Sequence, residues 1–213
     1  MIQDTLSRIL KNRRVLFYPS SGPISDEIIG LDYDVYVCAD RDLDTAAWEK
    51  HSRCNPCRTE SFEISGYECA VYQAKDKWVV GFGGENRVML SLLRASGAEL
   101  SAFAGFNDGC CEGGNSYCVN ALPFFRSVLH LANPAGFDYW TDHGIFNRSA
   151  GAAYSMSSGR DWPGIAGFED WSFTRESWPH SLPALSSGWG VHAKFRGVRI
   201  SSEGVPFLKS ASI

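Results

Sequence analysis

Short apolar runs alternate with amphipathic stretches along the first two thirds of the chain. Residues 3–13 show the apolar spacing of a helix. Val15–Tyr18 follows as four apolar or aromatic positions in a row, which predicts a short strand buried on both faces. The next stretches predict a helix over 26–31 and a second strand over 34–39, and this strand ends at Asp40.

A different pattern occupies the middle of the chain. Apolar and polar positions alternate and are interrupted twice by turn residues, which predicts three antiparallel strands over 60–64, 67–73 and 77–83. The stretch "ENRVMLSLLRASG" has the spacing of an amphipathic helix, and Gly97 marks its end. This region is therefore expected to be a meander followed by a helix.

The amino-acid composition changes in the last part of the chain. "AELSAFAGFND" and "FDYWTDHG" predict two further strands, with a helix between them that starts near Leu122-Pro123. Beyond residue 150 the chain is rich in Trp, Pro, Ser and Gly, and only "VHAKFRGVRI" predicts a strand or hairpin. We therefore expect a core over 1–149 and a covering subdomain or lid over 150–213.

The order of these elements predicts the fold class. Strands that are apolar on both faces and alternate with helices are typical of α/β proteins. The expected architecture is a mostly parallel sheet with helices on both faces, an antiparallel meander and a Trp- and Pro-rich C-terminal covering segment.

The composition and net charge of the chain exclude some classes of function. The chain has a net charge of -4 and a pI near 5.7, with no block of Lys and Arg, so the footprint of a general nucleic-acid binder is absent. The sequence shows neither an apolar run of membrane-spanning length nor the pattern of a secretory signal. We expect a cytoplasmic protein whose seven cysteines are reduced.

Unusual polar or glycine-rich clusters follow the predicted strands. In open α/β sheets, ligands bind outside the carboxyl ends of the strands, so these clusters are expected to line one cleft. The clusters are Pro19-Ser20-Ser21-Gly22, Asp40, "GGEN" at 83–86, "NDGCCEGGN" at 107–115 and "TDHG" at 141–144.

The first of these loops has two interpretations. Ser20, Ser21 and Gly22 can present hydroxyl and backbone N–H groups to an anion or a cofactor beside a helix N-terminus. The alternative is a simple turn, in which Pro19 fixes the backbone. Asp40 lies eighteen positions after Gly22, the spacing at which an acid holds ribose hydroxyls in nucleotide-binding folds, although it is also compatible with a solvated loop acid.

The strand, glycine-containing loop, helix, second strand and terminal acid resemble the opening of a class I S-adenosylmethionine-dependent methyltransferase or a Rossmann-like relative. This resemblance covers residues 14–144 at most and implies a Rossmann-like fold and transferase activity. It further implies S-adenosylmethionine as cofactor, bound by the first loop and Asp40. The family's first loop usually reads acid-x-Gly-x-Gly-x-Gly, whereas this loop has one glycine and no acid.

The stretch "GFGGEN" at 81–86 has the position of a second anion-binding turn, because it follows a strand and opens a helix. Its alternative explanation is that glycine permits close packing between the helix and the strand.

The loop at 107–115 carries the richest set of chemical groups. Asp108 and Glu112 are candidate general acid and base groups, and Cys110 is a candidate nucleophile, as is Cys111. Asn107, Asn115 and Asp142 are candidate substrate-binding residues, and His143 is a candidate proton shuttle. The alternative is a glycine-rich loop with capping residues.

Cysteine spacing suggests a metal site. "HSRCNPC" places Cys54 and Cys57 in a Cys-x-x-Cys pair, which is half of a tetrahedral zinc site. Free cysteines packed as small hydrophobic residues are the alternative.

These observations support three hypotheses of function. The first is an S-adenosylmethionine-dependent transferase that acts on a small molecule or a nucleic acid. The second is a non-catalytic binding or interaction protein that lacks the cofactor motif. The third is a hydrolase or transferase that uses Cys110 or Cys111 with His143. The expected partner is a small-molecule or nucleotide-like ligand.

Overall fold

The fold is described from a computed structural model, which describes residues 2–19, 30–41, 43–46, 56–105, 122–141, 145–147, 152–154, 170–176 and 193–200. These residues fall into two compact units. Unit 1 contains the described residues up to Glu99, and unit 2 contains those from Leu100 onward.

Unit 1 is built on a five-stranded sheet with two described helices. Its strands lie in the order β1-β2-β5-β4-β3. The β1–β2 and β2–β5 pairs are parallel, whereas β5–β4 and β4–β3 are antiparallel. Its elements are α1 (Ile2–Leu10), β1 (Val15–Tyr18), β2 (Val35–Ala39), β3 (Cys57–Ile64), β4 (Tyr67–Ala74), β5 (Lys77–Phe82) and α2 (Asn86–Ala95).

Two short turns create the antiparallel part of unit 1. Ser65 and Gly66 join β3 to β4 with φ values of 53° and 82°, the backbone that a two-residue hairpin turn requires. Lys75, with φ 58°, begins the equally short turn between β4 and β5. Because two-residue turns reverse the chain directly, they force antiparallel pairing of the three strands.

The core of unit 1 lies between its sheet and its helices. Every residue of β1 and β2 is buried. Leu6 and Ile9 of α1 and Leu93 of α2 are fully buried as well. The two helices contact each other, and the Ser7 hydroxyl of α1 donates a 3.0 Å hydrogen bond to the carbonyl of Ser96 at the end of α2. The apolar helix face predicted from the sequence is therefore the face that packs.

Unit 2 contains four strands that lie side by side and a separate pair of strands. The four strands lie in the order β10-β11-β7-β6, and β8 pairs with β9. The β6–β7 pair is parallel, whereas β7–β11, β11–β10 and β8–β9 are antiparallel. The elements are β6 (Leu100–Gly105), α3 (Leu122–Leu129), β7 (Phe137–Thr141), β8 (Ile145–Asn147), β9 (Ala152–Tyr154), β10 (Trp171–Glu176) and β11 (Ala193–Arg199).

Aromatic side chains form the core of unit 2. The ring of Phe125 on α3 lies 4.7 Å from that of Tyr139 on β7, and the stacked rings of Trp171 and Phe173 on β10 are 5.9 Å apart. β11 pairs directly with β7 and β10 pairs with β11, so these two strands extend the sheet of unit 2, whereas β9 pairs only with β8. The predicted division at residue 149 and the lid role of 150–213 stay predictions.

The expected α/β Rossmann-like class and the resemblance to S-adenosylmethionine-dependent methyltransferases are both wrong for this structure. Within the two units, five of the eight strand pairings are antiparallel, and the described residues hold three helices against eleven strands. The protein is therefore dominated by mixed, largely antiparallel sheet, not by a mostly parallel sheet with helices on both faces.

The physical reason is that apolar runs identify buried strands but not the direction of their neighbours. The short turns at Ser65-Gly66 and Lys75 set two of the antiparallel pairings. The placement of β11 between β7 and β10 sets two more, and the β7–β11 pairing joins segments more than fifty residues apart in sequence. Separately, none of the described helices is long and apolar enough to cross a membrane.

Candidate functional site

The candidate site lies at the carboxyl edge of the three parallel strands of unit 1. Tyr18 of β1 pairs with Cys38 of β2, and Cys38 pairs with Gly81 of β5. The three strands therefore end at the same edge of the sheet. Pro19 follows β1, Asp40 follows β2, and residues 83–86 follow β5 at that edge.

Hydrogen bonds and an ion pair join the segments that follow β2 and β5. The backbone N–H of Asp40 donates to the carbonyl of Phe82 over 3.1 Å. The Arg41 guanidinium pairs with the Glu85 carboxylate. Both side chains of the pair are largely exposed, so the pair contributes at most about 1 kcal/mol of stability. Its main effect is to connect the two segments.

Thr45 anchors the segment after β2 to β4, on the far side of β5 in the sheet. Its side chain is buried, and its Oγ1 donates a hydrogen bond to the carboxylate of Glu68 on β4. Its backbone carbonyl accepts a 2.6 Å hydrogen bond from the hydroxyl of Tyr72, also on β4. Both polar ends of Thr45 are thus held by one strand.

Glu68 is the centre of this network. Its carboxylate accepts hydrogen bonds from Arg58 Nη1 at 2.5 Å and from Ser61 Oγ at 3.0 Å, in addition to that from Thr45. The hydrogen bond from Thr45 is the largest cause that lowers the pKa of Glu68, and Ser61 and Arg58 lower it further against an opposing effect of burial. Arg58 Nη2 also donates to the Tyr72 hydroxyl over 3.0 Å, so this hydroxyl both donates and accepts.

Close packing explains the two glycines after β5. A Cβ on Gly84 would lie 2.3 Å from the ring of Phe82, and a Cβ on Gly83 would lie 3.2 Å from the carbonyl oxygen of Leu43. Close packing therefore accounts for both glycines without an anion, although the contacts are to Leu43 and Phe82 and not between the helix and the strand as the alternative for "GFGGEN" expected.

Asn86 begins α2 with unused hydrogen-bonding capacity. Glu85 caps the helix in an extended conformation without a side-chain hydrogen bond, and its carbonyl accepts from Val88 at 2.9 Å. The Oδ1 atom of Asn86 is buried and has no hydrogen-bond partner among the described residues. Because an unpaired buried polar atom costs about 1–3 kcal/mol, this amide is a candidate ligand group.

The structure places two of the predicted cofactor-binding residues on neighbouring strands. Pro19 is buried directly after β1, and Asp40 is half-buried directly after β2. The other predicted residues at the site lie outside the described residues: Ser20, Ser21, Gly22, Asn107, Asp108, Cys110, Glu112, Asn115, Asp142 and His143. Their roles stay predictions.

The predicted zinc pair is described only in part. Cys57 is exposed at the start of β3, and Cys54 lies outside the described residues. In the described part of the chain, no three His, Cys, Asp or Glu side chains come together as metal ligands. The zinc site stays a prediction.

Two other described cysteines are poor nucleophiles. Burial raises the pKa of Cys38 and raises that of Cys69 to about 12, with the Glu68 charge adding to the effect at Cys69. A thiol that stays protonated at neutral pH does not attack substrates efficiently. This finding does not bear on Cys110 or Cys111, which lie outside the described residues.

Sequence reasoning missed Thr45, Glu68, Tyr72 and Arg58. The alternation in "GYECAVYQ" does place Glu68 and Tyr72 on the same face of β4, which is a detectable signal for two interacting polar groups. Nothing in the local pattern connects that face to Thr45, which lies more than twenty residues earlier.

A charged cluster in unit 2 has a structural explanation. The buried carboxylate of Asp138 pairs with Arg196 at 2.6 Å and with Lys194 at 3.5 Å, and Lys194 also pairs with Glu176 at 2.7 Å. Asp138 and Arg196 are direct cross-strand partners. Two cations and two anions balance, so the cluster stabilises the pairing of β7, β11 and β10.

No protein-family model matches this chain, and no curated protein is significantly similar to it in sequence.

Proposed function

We propose that this chain binds a small ligand with neighbouring hydroxyl groups, of the nucleoside class, at the carboxyl edge of β1, β2 and β5. The observation that carries the proposal is the presence of two polar side chains after adjacent parallel strands: Asp40 directly after β2, and Asn86 at the start of α2, four positions after β5. Their segments are connected by the Arg41–Glu85 pair. In open α/β sheets, small ligands bind at the carboxyl edge of the parallel strands, and β1, β2 and β5 form an edge of this kind within the mixed sheet of unit 1.

The chemistry of the two side chains defines the ligand class. A carboxylate accepts several hydrogen bonds at once, which suits the two adjacent hydroxyls of a ribose. An amide donates and accepts side by side, which suits the edge of a nucleobase. The acceptor half of this amide, Oδ1 of Asn86, has no hydrogen-bond partner among the described residues. Asp40 is therefore assigned to the ribose and Asn86 to the base.

The proposal concerns binding and not a reaction. The predicted acid, base and nucleophile candidates Asp108, Glu112, Cys110 and His143 all lie outside the described residues. Ligand binding, unlike catalysis, requires only the groups that follow β1, β2 and β5.

The test is a calorimetric titration of the full chain with adenosine and with S-adenosylmethionine. We expect saturable binding of at least one of them, and we expect 2′,3′-dideoxyadenosine to bind more weakly than adenosine because it lacks the hydroxyl pair. The absence of heat and of any thermal shift with both nucleosides at about 1 mM, equivalent to less than about 4 kcal/mol of binding free energy, overturns the proposal.

A further inference from the structure

We propose that Glu68 and Tyr72 are positioning residues that hold the Asp40 segment in its ligand-binding conformation through Thr45. This inference rests on the proposed function, because it deepens the account of the same site. Neither residue is assigned a contact with the ligand.

The hydrogen bonds to Thr45 hold the segment from two directions. Glu68 accepts from the Thr45 hydroxyl, and Tyr72 donates to the Thr45 carbonyl over 2.6 Å. Thr45 is 3% exposed and its hydrogen bond from Tyr72 is buried, whereas its hydrogen bond to Glu68 is partly buried because the Glu68 side chain is 41% exposed. Two hydrogen bonds to opposite ends of one residue restrict both its side chain and its backbone.

The segment between Thr45 and Asp40 is short and folded back on itself. The backbone N–H of Leu43 donates to the carbonyl of Asp40 over 3.1 Å, and Leu43 is buried. A displacement of Thr45 is therefore transmitted to Asp40 over only five positions of the chain.

Glu68 also contacts the segment that follows β5. Its backbone carbonyl accepts a 2.8 Å hydrogen bond from the N–H of Gly83. That glycine in turn approaches the carbonyl of Leu43 so closely that a Cβ would be 3.2 Å away. One residue of β4 thus holds both segments of the candidate site, with its side chain on one and its backbone on the other.

The remaining partners of Glu68 orient its carboxylate. Ser61 and Arg58 both donate to Oε1, which leaves Oε2 for Thr45. Arg58 also donates to the Tyr72 hydroxyl over 3.0 Å, which favours the orientation in which that hydroxyl donates to Thr45. The hydrogen bonds that orient Glu68 and Tyr72 therefore also support the Asp40 segment.

The test compares Tyr72→Phe with Tyr36→Phe in the full chain. Tyr36 is a matched control because its hydroxyl also donates a 2.6 Å hydrogen bond to a backbone carbonyl, that of Leu31, which precedes β2 at the opposite edge of the sheet. Both substitutions remove one such bond, and only Tyr72→Phe releases the Thr45 segment. Thr45→Val is a second variant, which removes the hydrogen bond from the Thr45 hydroxyl to the Glu68 carboxylate.

Two readouts are measured at a temperature where all variants are folded. The first is amide hydrogen exchange of the peptide containing residues 40–46, which needs no ligand. The second is the dissociation constant for adenosine. We expect Tyr72→Phe and Thr45→Val to accelerate exchange in this peptide and to weaken binding by about tenfold, the equivalent of about 1.4 kcal/mol, with neither effect in Tyr36→Phe.

Unchanged exchange over residues 40–46 in both variants overturns the positioning role. Faster exchange with unchanged affinity also overturns it, because the network would then be purely structural. If the wild-type chain binds no nucleoside, the proposed function fails and the exchange data alone decide whether Glu68 and Tyr72 hold the segment.

Discussion

The hydroxyl of Tyr72 donates a 2.6 Å hydrogen bond to the backbone carbonyl of Thr45, and both groups are buried. Tyr72 lies on β4 in the antiparallel part of unit 1, whereas Thr45 follows the parallel strand β2. Together with the hydrogen bond from Thr45 Oγ1 to Glu68, this bond joins the segment after β2 to strand β4.

Tyr72→Phe is expected to destabilise the fold by about 1–3 kcal/mol, because the buried carbonyl of Thr45 loses its donor. Urea denaturation of the wild type and of Tyr72→Phe measures the change in the free energy of unfolding. Tyr67→Phe is the control, because Tyr67 is 38% exposed and its substitution is expected to change stability by less than about 0.5 kcal/mol. Equal stabilities of the two variants would contradict the role of this hydrogen bond.

Glu68 is expected to make stability sensitive to acid. The pKa of Glu68 is lowered in the folded state, mainly by the hydrogen bond from Thr45, so the ionised group stabilises the fold above its unfolded-state pKa. That contribution is lost as the pH falls through the lowered folded-state pKa. The difference in unfolding free energy between the wild type and Glu68→Gln should therefore be largest near neutral pH and shrink in acid. A difference that does not depend on pH argues against an ionised Glu68 in the network.

The described cysteines are expected to differ sharply in reactivity. Cys57 is exposed, whereas Cys38 and Cys69 are buried and have raised pKa values. Maleimide labelling of the folded protein, followed by peptide mass spectrometry, should modify Cys57 first and the other two only after unfolding. Labelling of Cys38 as fast as that of Cys57 would show that β2 is not buried in solution.

Gly84→Ala is expected to destabilise unit 1 by about 1–3 kcal/mol, because the new Cβ would lie 2.3 Å from the ring of Phe82. Chemical denaturation measures the loss. In a Phe82→Leu background, Gly84→Ala should lower the free energy of unfolding by less, because the smaller side chain at position 82 removes the clash. If the two costs are equal, the glycine is required for another reason.

Local patterns in the sequence predict strands well where burial is uniform or alternation is strict. The predicted strand over Val15–Tyr18 is confirmed, because four consecutive apolar side chains are buried there. The meander is confirmed as β3, β4 and β5 with small shifts at its ends, because the short turns that separate the strands are a local property. Burial alternates along β3, whereas β4 and β5 each bury four consecutive residues. The position of Asp40 directly after β2 was predictable for the same reason.

Pairing direction and tertiary hydrogen bonds were not predictable from local patterns. The antiparallel position of β11 beside β7 depends on contacts between residues far apart in sequence, such as Asp138 and Arg196. The link between Thr45 and Glu68 spans twenty-three positions and leaves no periodic signal. The fold class was therefore wrong although the strands that were predicted are present, and β8, β9 and β10 were not predicted at all.

The most direct test of the proposed ligand site is the affinity of adenosine for Asp40→Asn, measured by calorimetry beside Asp76→Asn. Asp76 is an exposed acid in the turn before β5, at the opposite edge of the sheet, so it controls for the loss of one negative charge. We predict that Asp40→Asn weakens binding by about 10- to 100-fold, the loss of charge-assisted hydrogen bonds to the ribose, and that Asp76→Asn binds as the wild type does. Equal affinities of the two variants would contradict the assignment of Asp40 to the ligand.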